Sequence, residues 1–144
     1  MPRGLLGTRA TLVADINLIL QVAIVITLAL NLLQSRRYGR GAGPVLVHVA
    51  VIVNAALIIA IMNPSFFRIF PFAVGSPTAP VPILLWPHMI LGTAAELIGV
   101  YVILSSGADR KRASNSRRST IRLLLVLWIM ALAVGLAVYY RLYM

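Results

Sequence analysis

The feature that most constrains the fold is an apolar stretch of 21 residues, WPHMILGTAAELIGVYVILSS, which begins at Trp86. A helix needs about 20 apolar residues to cross the hydrocarbon core of a bilayer, so this stretch is long enough. It nevertheless carries His88 near its start and Glu96 in its middle. An ionisable side chain at membrane depth costs roughly 2.5–3.5 kcal/mol on insertion scales, which marks it as a functional group or as one with a buried partner.

Small residues recur at helical spacing around this glutamate, at Gly92, Ala95 and Gly99. Such residues let the backbone of a neighbouring membrane helix approach closely. We therefore expect these three positions to form an interhelical packing face, and the stretch to lie inside a bundle.

Composition places the whole chain in the membrane class. Of its 144 residues, 60% are hydrophobic and 11% are charged, whereas soluble domains average about 25% charged residues. Four apolar segments approach the length of a membrane span, at residues 12–33, 44–62, 82–105 and 121–140. We predict an all-α integral membrane four-helix bundle that forms one domain over residues 1–144.

The chain has 13 basic and 3 acidic residues, for a net charge of +10. Nine of the basic residues fall in the first and third predicted loops and four at the other membrane face, and basic loops beside spans favour a cytoplasmic position. We therefore predict a multi-pass protein of the cell membrane with both termini outside and two cytoplasmic arginine-rich loops. These loops would attract anionic lipid headgroups, and the lack of interleaved aromatics argues against nucleic acid. The residues of the larger loop that would do so are Arg110, Lys111, Arg112, Arg117 and Arg118.

In this topology His48 and Glu96 reach similar depths on the second and third spans. They are predicted to form an intramembrane pair with a relay, a structural or a weak metal-binding role. An outer polar cluster of Asp15, Gln21 and His88 is predicted nearer the outer surface.

Two histidines on adjacent spans suggest a haem whose iron both histidines would bind. His48 and His88 differ in predicted depth by nine residues, which is roughly 14 Å at 1.5 Å per residue. Ligands of one iron cannot lie so far apart, so haem is disfavoured. A metal at His48 and Glu96 would be short of protein ligands, and we assign no cofactor and no metal.

Three further expectations concern the remaining segments. Residues 63–81 contain prolines at 64, 71, 77 and 80, which predict an irregular, aromatic-rich loop that lies at the interface or caps the bundle. A polar stripe on the first span, from Asn17 to Asn31, is expected to face the third span. The pair Ala131 and Gly135 on the fourth span is expected to meet a partner subunit or lipid.

The segments DINLILQ, VLVHVAVIVNAALI, WPHMILGTAAELIGVYVI and RRSTIRLLLVLWIMALAVGLAVYY follow one another along the chain. This order resembles the CtaM-like family of small four-helix membrane proteins associated with haem–copper oxidases. His48 and His88 match the family's histidines at two helix starts. Two further histidines expected from the family are missing, where this chain reads NPSFF and RASNSRRST, and this favours a structural role.

The primary hypothesis is a non-catalytic accessory subunit or assembly factor of a respiratory membrane complex, a haem–copper oxidase by the resemblance. The chain shows no complete catalytic motif, so no enzymatic activity is predicted. The alternatives are a small haem-binding electron-transfer protein and a small proton or ion carrier that uses His48 and Glu96.

Overall fold

The computed structural model describes residues 5–7, 9–38, 43–105 and 114–144. These residues contain five α-helices in chain order, with a π-helical turn at Ile58–Met62 between the second and the third. They are α1 (Leu12–Tyr38), α2 (Gly43–Leu57), α3 (Asn63–Gly75), α4 (Pro80–Leu104) and α5 (Ser114–Tyr143).

Within the described residues, four helical stretches are long and apolar enough to cross a membrane: Leu12–Leu33, Val45–Gly75, Pro80–Leu104 and Ser119–Tyr143. The second of these runs through α2, the π-helical turn and α3. The predicted all-α four-helix membrane bundle is confirmed, and the chain is a multi-pass membrane protein.

The predicted irregular loop after the second span is wrong, because the helix continues as far as Gly75. Pro64 follows directly on the π-helical turn, where the N–H of Asn63 bonds to the carbonyl of Ile58, five residues back. In a regular α-helix the proline ring would clash with the carbonyl group four residues earlier in the chain. The wider π-helical turn moves that carbonyl group away from the ring. Pro71 lies inside α3, and prolines inside membrane helices are tolerated where neighbouring groups satisfy the freed carbonyls.

The third span begins slightly earlier than predicted, at Pro80. A proline at the first helical position loses nothing, because the N–H that it lacks has no partner there. The turn between α3 and α4 therefore spans only residues 76–79.

The predicted arginine-rich loop after the third span ends earlier in the structure than expected. Arg110, Lys111 and Arg112 lie outside the described residues, but α5 begins at Ser114, so the backbones of Arg117 and Arg118 are helical. Residues 114–122 contain no glycine or proline that would interrupt a helix.

The helices form a ring in which α1 packs on α2 and α5, α2 packs on α4, and α4 packs most extensively on α5. Within the polar stripe of α1, Gln21 bonds to Asn54 of α2, and Asn17 lies in the wall of a cavity that His88 and Gly92 of the third span also line. The hydroxyl of Thr27 donates to the Ala23 carbonyl of its own helix. That the whole stripe faces the third span stays a prediction.

Close approach of α2 and α4 occurs at Gly99, where an added Cβ would lie 2.8 Å from Cγ2 of Val51. Ala95 is fully buried one turn away. Gly92 differs from these two, since an added Cβ there would meet nothing within 4 Å. The predicted packing face thus consists of Ala95 and Gly99, and Gly92 borders open space.

Candidate functional site: a polar cavity between the helices

The pairing of α2 with α4 has a definite register. Val51 lies opposite Gly99, and Asn54 Nδ2 donates to Glu96 Oε2 over 2.6 Å. In both pairs the residue numbers add up to 150, as expected for antiparallel helices. By the same register His48 lies level with Val102, six residues or about 9 Å from the level of Glu96.

The predicted pair of His48 and Glu96 is therefore corrected: the carboxylate pairs with Asn54. The error came from the predicted ends of the second and third spans, which placed the connecting loop between residues 62 and 82. Because α3 extends the second span to Gly75, the pairing register of α2 and α4 differs from the one that those ends predicted.

Asn54 joins three helices through one amide group. Its Oδ1 accepts a hydrogen bond from Gln21 Nε2 on α1 over 2.7 Å, while its Nδ2 donates to Glu96 on α4. Asn54 is buried. The other carboxylate oxygen, Glu96 Oε1, is also buried and has no hydrogen-bond partner among the described residues.

The predicted outer cluster is divided. Asp15 is fully buried, where it accepts hydrogen bonds from the Leu6 backbone N–H over 3.0 Å and from the Tyr139 hydroxyl. Gln21 pairs with Asn54, as described above. Asp15 therefore ties the N-terminal segment to the end of α5 rather than joining Gln21 and His88.

His88 contacts α5. Its Nδ1 lies 2.8 Å from the carbonyl oxygen of Ala131, and an added Cβ at Gly135 would lie 2.7 Å from its Cε1. Ala131 and Gly135 thus form the surface on which the imidazole rests, and their predicted contact with a partner or with lipid is wrong.

The Ala131 contact determines the histidine tautomer. A carbonyl oxygen only accepts hydrogen bonds, so Nδ1 carries the proton. In the neutral ring Nε2 then presents a lone pair.

An inner cavity of about 140 Å³ lies among α1, the end of α2, α4 and α5. Apolar residues form part of its lining, and Gly92 lies in its wall. Six of its lining residues carry polar side chains: Asn17, Gln21, Asn54, His88, Trp128 and Tyr139.

A second, outer cavity of about 240 Å³ shares Asn17, His88, Gly92 and Tyr139 with the inner one. It extends toward the end of the bundle that holds the chain termini. There its lining is mostly apolar and aromatic, and includes Phe66, Ile69, Leu85, Val138 and Leu142.

Two polar atoms of the inner-cavity residues are buried and have no hydrogen-bond partner in the part of the chain that the structure describes, namely Asn17 Oδ1 and Trp128 Nε1. Trp128 is only 4% exposed. Because an unpaired polar group in an apolar interior costs several kcal/mol, native structures rarely leave one without a ligand or water.

No cluster of three or more histidine, aspartate or glutamate side chains that could hold a metal occurs among the described residues. The register also places His48 and His88 some fourteen residues apart along α4, about 21 Å. One iron could not bind both rings at that separation.

The sequence reasoning missed Asn54, Trp128 and Tyr139 as site residues. A signal existed for Asn54, since His48 and Asn54 are the two polar side chains of the predicted second span, residues 44–62. For Trp128 and Tyr139 no such signal existed, because aromatic residues are ordinary constituents of membrane helices and of their ends.

No protein-family model, curated protein or solved structure matches this chain. The resemblance to the CtaM-like family therefore rests on the quoted segments alone.

Proposed function

We propose that this chain is a non-catalytic accessory subunit or assembly factor of a respiratory membrane complex, with a haem–copper terminal oxidase as that complex. The supporting observation is the helical extension α3. The span Val45–Gly75 has 31 residues and would measure about 46 Å if straight, against a hydrocarbon core of about 30 Å. Part of α3 then projects beyond the core at the end of the bundle where the termini lie.

The projecting helix has an inner and an outer face. Phe66 and Phe70 pack against Trp86 of α4, with ring centroids 6.4 and 6.5 Å apart. On the other face, Phe67 is 71% and Phe72 is 53% exposed. Exposed aromatic side chains beyond the hydrocarbon core are typical of a surface that another protein covers.

The distribution of polar groups argues for this role over that of a carrier. Gln21, Asn54 and Glu96 pair at one level near the middle of the bundle. Toward the arginine-rich loops the next turns of the α2–α4 contact are apolar, with Val47, Val51 and Val102 almost fully buried. A carrier needs polar groups along its whole path, and this layer separates the level of His48 from that of Glu96.

The choice of a haem–copper oxidase as the complex is supported by the resemblance of the quoted segments. The positive-inside rule supports a cell-membrane protein with the termini and α3 outside and with the arginine-rich loops at cytoplasmic anionic headgroups.

Gentle detergent extraction from native membranes tests the proposal. The extract is separated on a native gel, and one band is analysed by mass spectrometry and absorbance. We expect the chain in a large band together with oxidase subunits and their haem. Migration of the chain alone would contradict the proposal.

Substitutions of exposed residues test whether α3 makes the contact with the complex. Phe67→Ala combined with Phe72→Ala is expected to shift the chain out of the large band. The matched control is Ile59→Ala combined with Leu97→Ala, which removes side chains that are 68% and 66% exposed elsewhere on the bundle. An equal loss in both pairs would contradict a contact at α3.

A further inference from the structure

We propose that the inner and outer cavities together bind a membrane-soluble lipid with a hydroxyl-bearing headgroup, of the quinol class. The headgroup occupies the inner cavity and the apolar tail leaves through the outer one. This site does not depend on the accessory role proposed above.

The hydrogen-bonding groups of the inner cavity determine the headgroup chemistry. Trp128 Nε1–H is a buried donor and Asn17 Oδ1 is a buried acceptor, both without a partner. His88 adds a second acceptor at Nε2, because the Ala131 carbonyl holds the proton on Nδ1.

A ligand that satisfies all three groups must donate two hydrogen bonds and accept one. The two hydroxyls of a quinol can do this, since each both donates and accepts. The oxidised quinone has carbonyl oxygens that only accept. It could pair with Trp128 but would face the lone pairs of Asn17 and His88 without a proton to offer. The site therefore favours the reduced form.

The change in lining along the two cavities matches an amphiphile. The inner end has six polar side chains, whereas the outer end runs past Phe66, Ile69 and Leu142. Lipid-binding sites commonly combine a few placed polar groups with an apolar wall in this way.

A larger side chain at position 92 can fill the two cavities and so block the proposed lipid site. Gly92 lines both cavities, and an added Cβ would meet nothing within 4 Å. Gly92→Val therefore fills cavity space without a clash at Cβ. Gly75 is equally unobstructed but lies at the end of α3 outside both cavities, so Gly75→Val is the matched control.

The test uses the full chain in nanodiscs with ¹⁵N-labelled tryptophan. The protein has two tryptophans, so the spectrum has two indole N–H signals, which Trp86→Phe assigns. Titration with decylubiquinol is expected to move the Trp128 signal saturably and to leave Trp86 unmoved. Decylubiquinone is expected to require about a hundredfold more ligand, the equivalent of two buried hydrogen bonds.

Gly92→Val is expected to abolish the shift and Gly75→Val to preserve it. Asn17→Leu serves as a second variant. It removes an unpaired buried acceptor, so it should leave the empty protein at least as stable while weakening quinol binding about tenfold.

Three outcomes would overturn the proposal. The Trp128 signal could stay unmoved at saturating quinol, which would mean that water alone occupies the cavity. Quinol and quinone could titrate alike. The shift could also survive Gly92→Val, which would place the ligand elsewhere.

Discussion

Asn54 connects α1, α2 and α4 through a single amide group. Both its oxygen and its nitrogen bond to side chains of other helices, over 2.7 and 2.6 Å. A hydrogen bond between membrane helices contributes on average about 0.6 kcal/mol. The larger effect comes from removing a partner, because the remaining buried group then lacks both water and protein.

Asn54→Leu is accordingly expected to lower the free energy of unfolding by about 1–3 kcal/mol. Glu96→Gln keeps an oxygen that can accept from Asn54, so a change below about 1 kcal/mol is expected. Unfolding by sodium dodecyl sulfate in bicelles, followed by circular dichroism, measures both.

The double variant Asn54→Leu with Glu96→Leu is the control. It leaves no buried carboxylate unpaired, although Gln21 still lacks its acceptor, so part of the stability lost in Asn54→Leu should return. Additive losses in the double variant would show that the two residues do not depend on each other.

At the scale of the helices, two glycines determine how closely neighbours approach. Gly99 brings α4 against Val51 of α2, and Gly135 brings α5 against the His88 ring of α4. The His88 ring is held from two directions, by the Ala131 carbonyl and by the Gly135 backbone.

Gly135→Ala is expected to destabilise the bundle by about 1–3 kcal/mol, since the new methyl group would lie 2.7 Å from Cε1 of His88. Adding His88→Ala should relieve the overlap and recover part of the loss. Gly92→Ala adds the same methyl group to open space and should cause no loss. Equal stability of Gly135→Ala and Gly92→Ala, measured by the same unfolding experiment, would contradict this account of the α4–α5 contact.

The π-helical turn determines which face α3 presents to α4. A π-helical turn contains one residue more than the α-helical path that it replaces. Deleting Ala60 should therefore rotate α3 by about 100° relative to α2 and move Phe66 and Phe70 away from Trp86. We expect a red shift of Trp86 emission in a Trp128→Phe background.

Deletion of Thr78 is the control for this change. It shortens the turn between α3 and α4 without altering the helical register that precedes it. Unchanged Trp86 emission after removal of Ala60 would mean that the turn does not orient α3.

The existence of the four membrane helices could be predicted from the sequence, because hydropathy and length report burial in lipid directly. Their ends and their register could not. Hydropathy does not distinguish Pro64 after a π-helical turn from Pro64 in a loop, and this one difference displaced the expected level of Glu96 relative to α2. The partner of Glu96 was misassigned for that reason, although the glutamate itself was recognised.

At the scale of the whole molecule, the two ends of the bundle differ in the groups and cavities that they hold. Asp15 and both cavities lie toward the end with the termini, and the hydrogen bonds of Asn54 lie near the middle. At the end with the termini, Arg9 N–H bonds to the Tyr143 carbonyl over 3.3 Å, which holds the two ends of the chain together. An even number of spans places both termini at one membrane face, which is the outer face in the orientation proposed above.

Single cysteines test this orientation cleanly, because the natural chain has none. Leu5→Cys and Met144→Cys replace side chains that are 62% and 75% exposed, and Ala108→Cys lies in the arginine-rich segment. A membrane-impermeant maleimide added to right-side-out vesicles should label the first two, and should label Ala108→Cys only after permeabilisation. The reverse pattern would contradict the proposed orientation and leave the fold intact. Labelling of Leu5→Cys and Met144→Cys from opposite faces would contradict the four-span fold itself, since only an odd number of crossings separates the two ends of a chain.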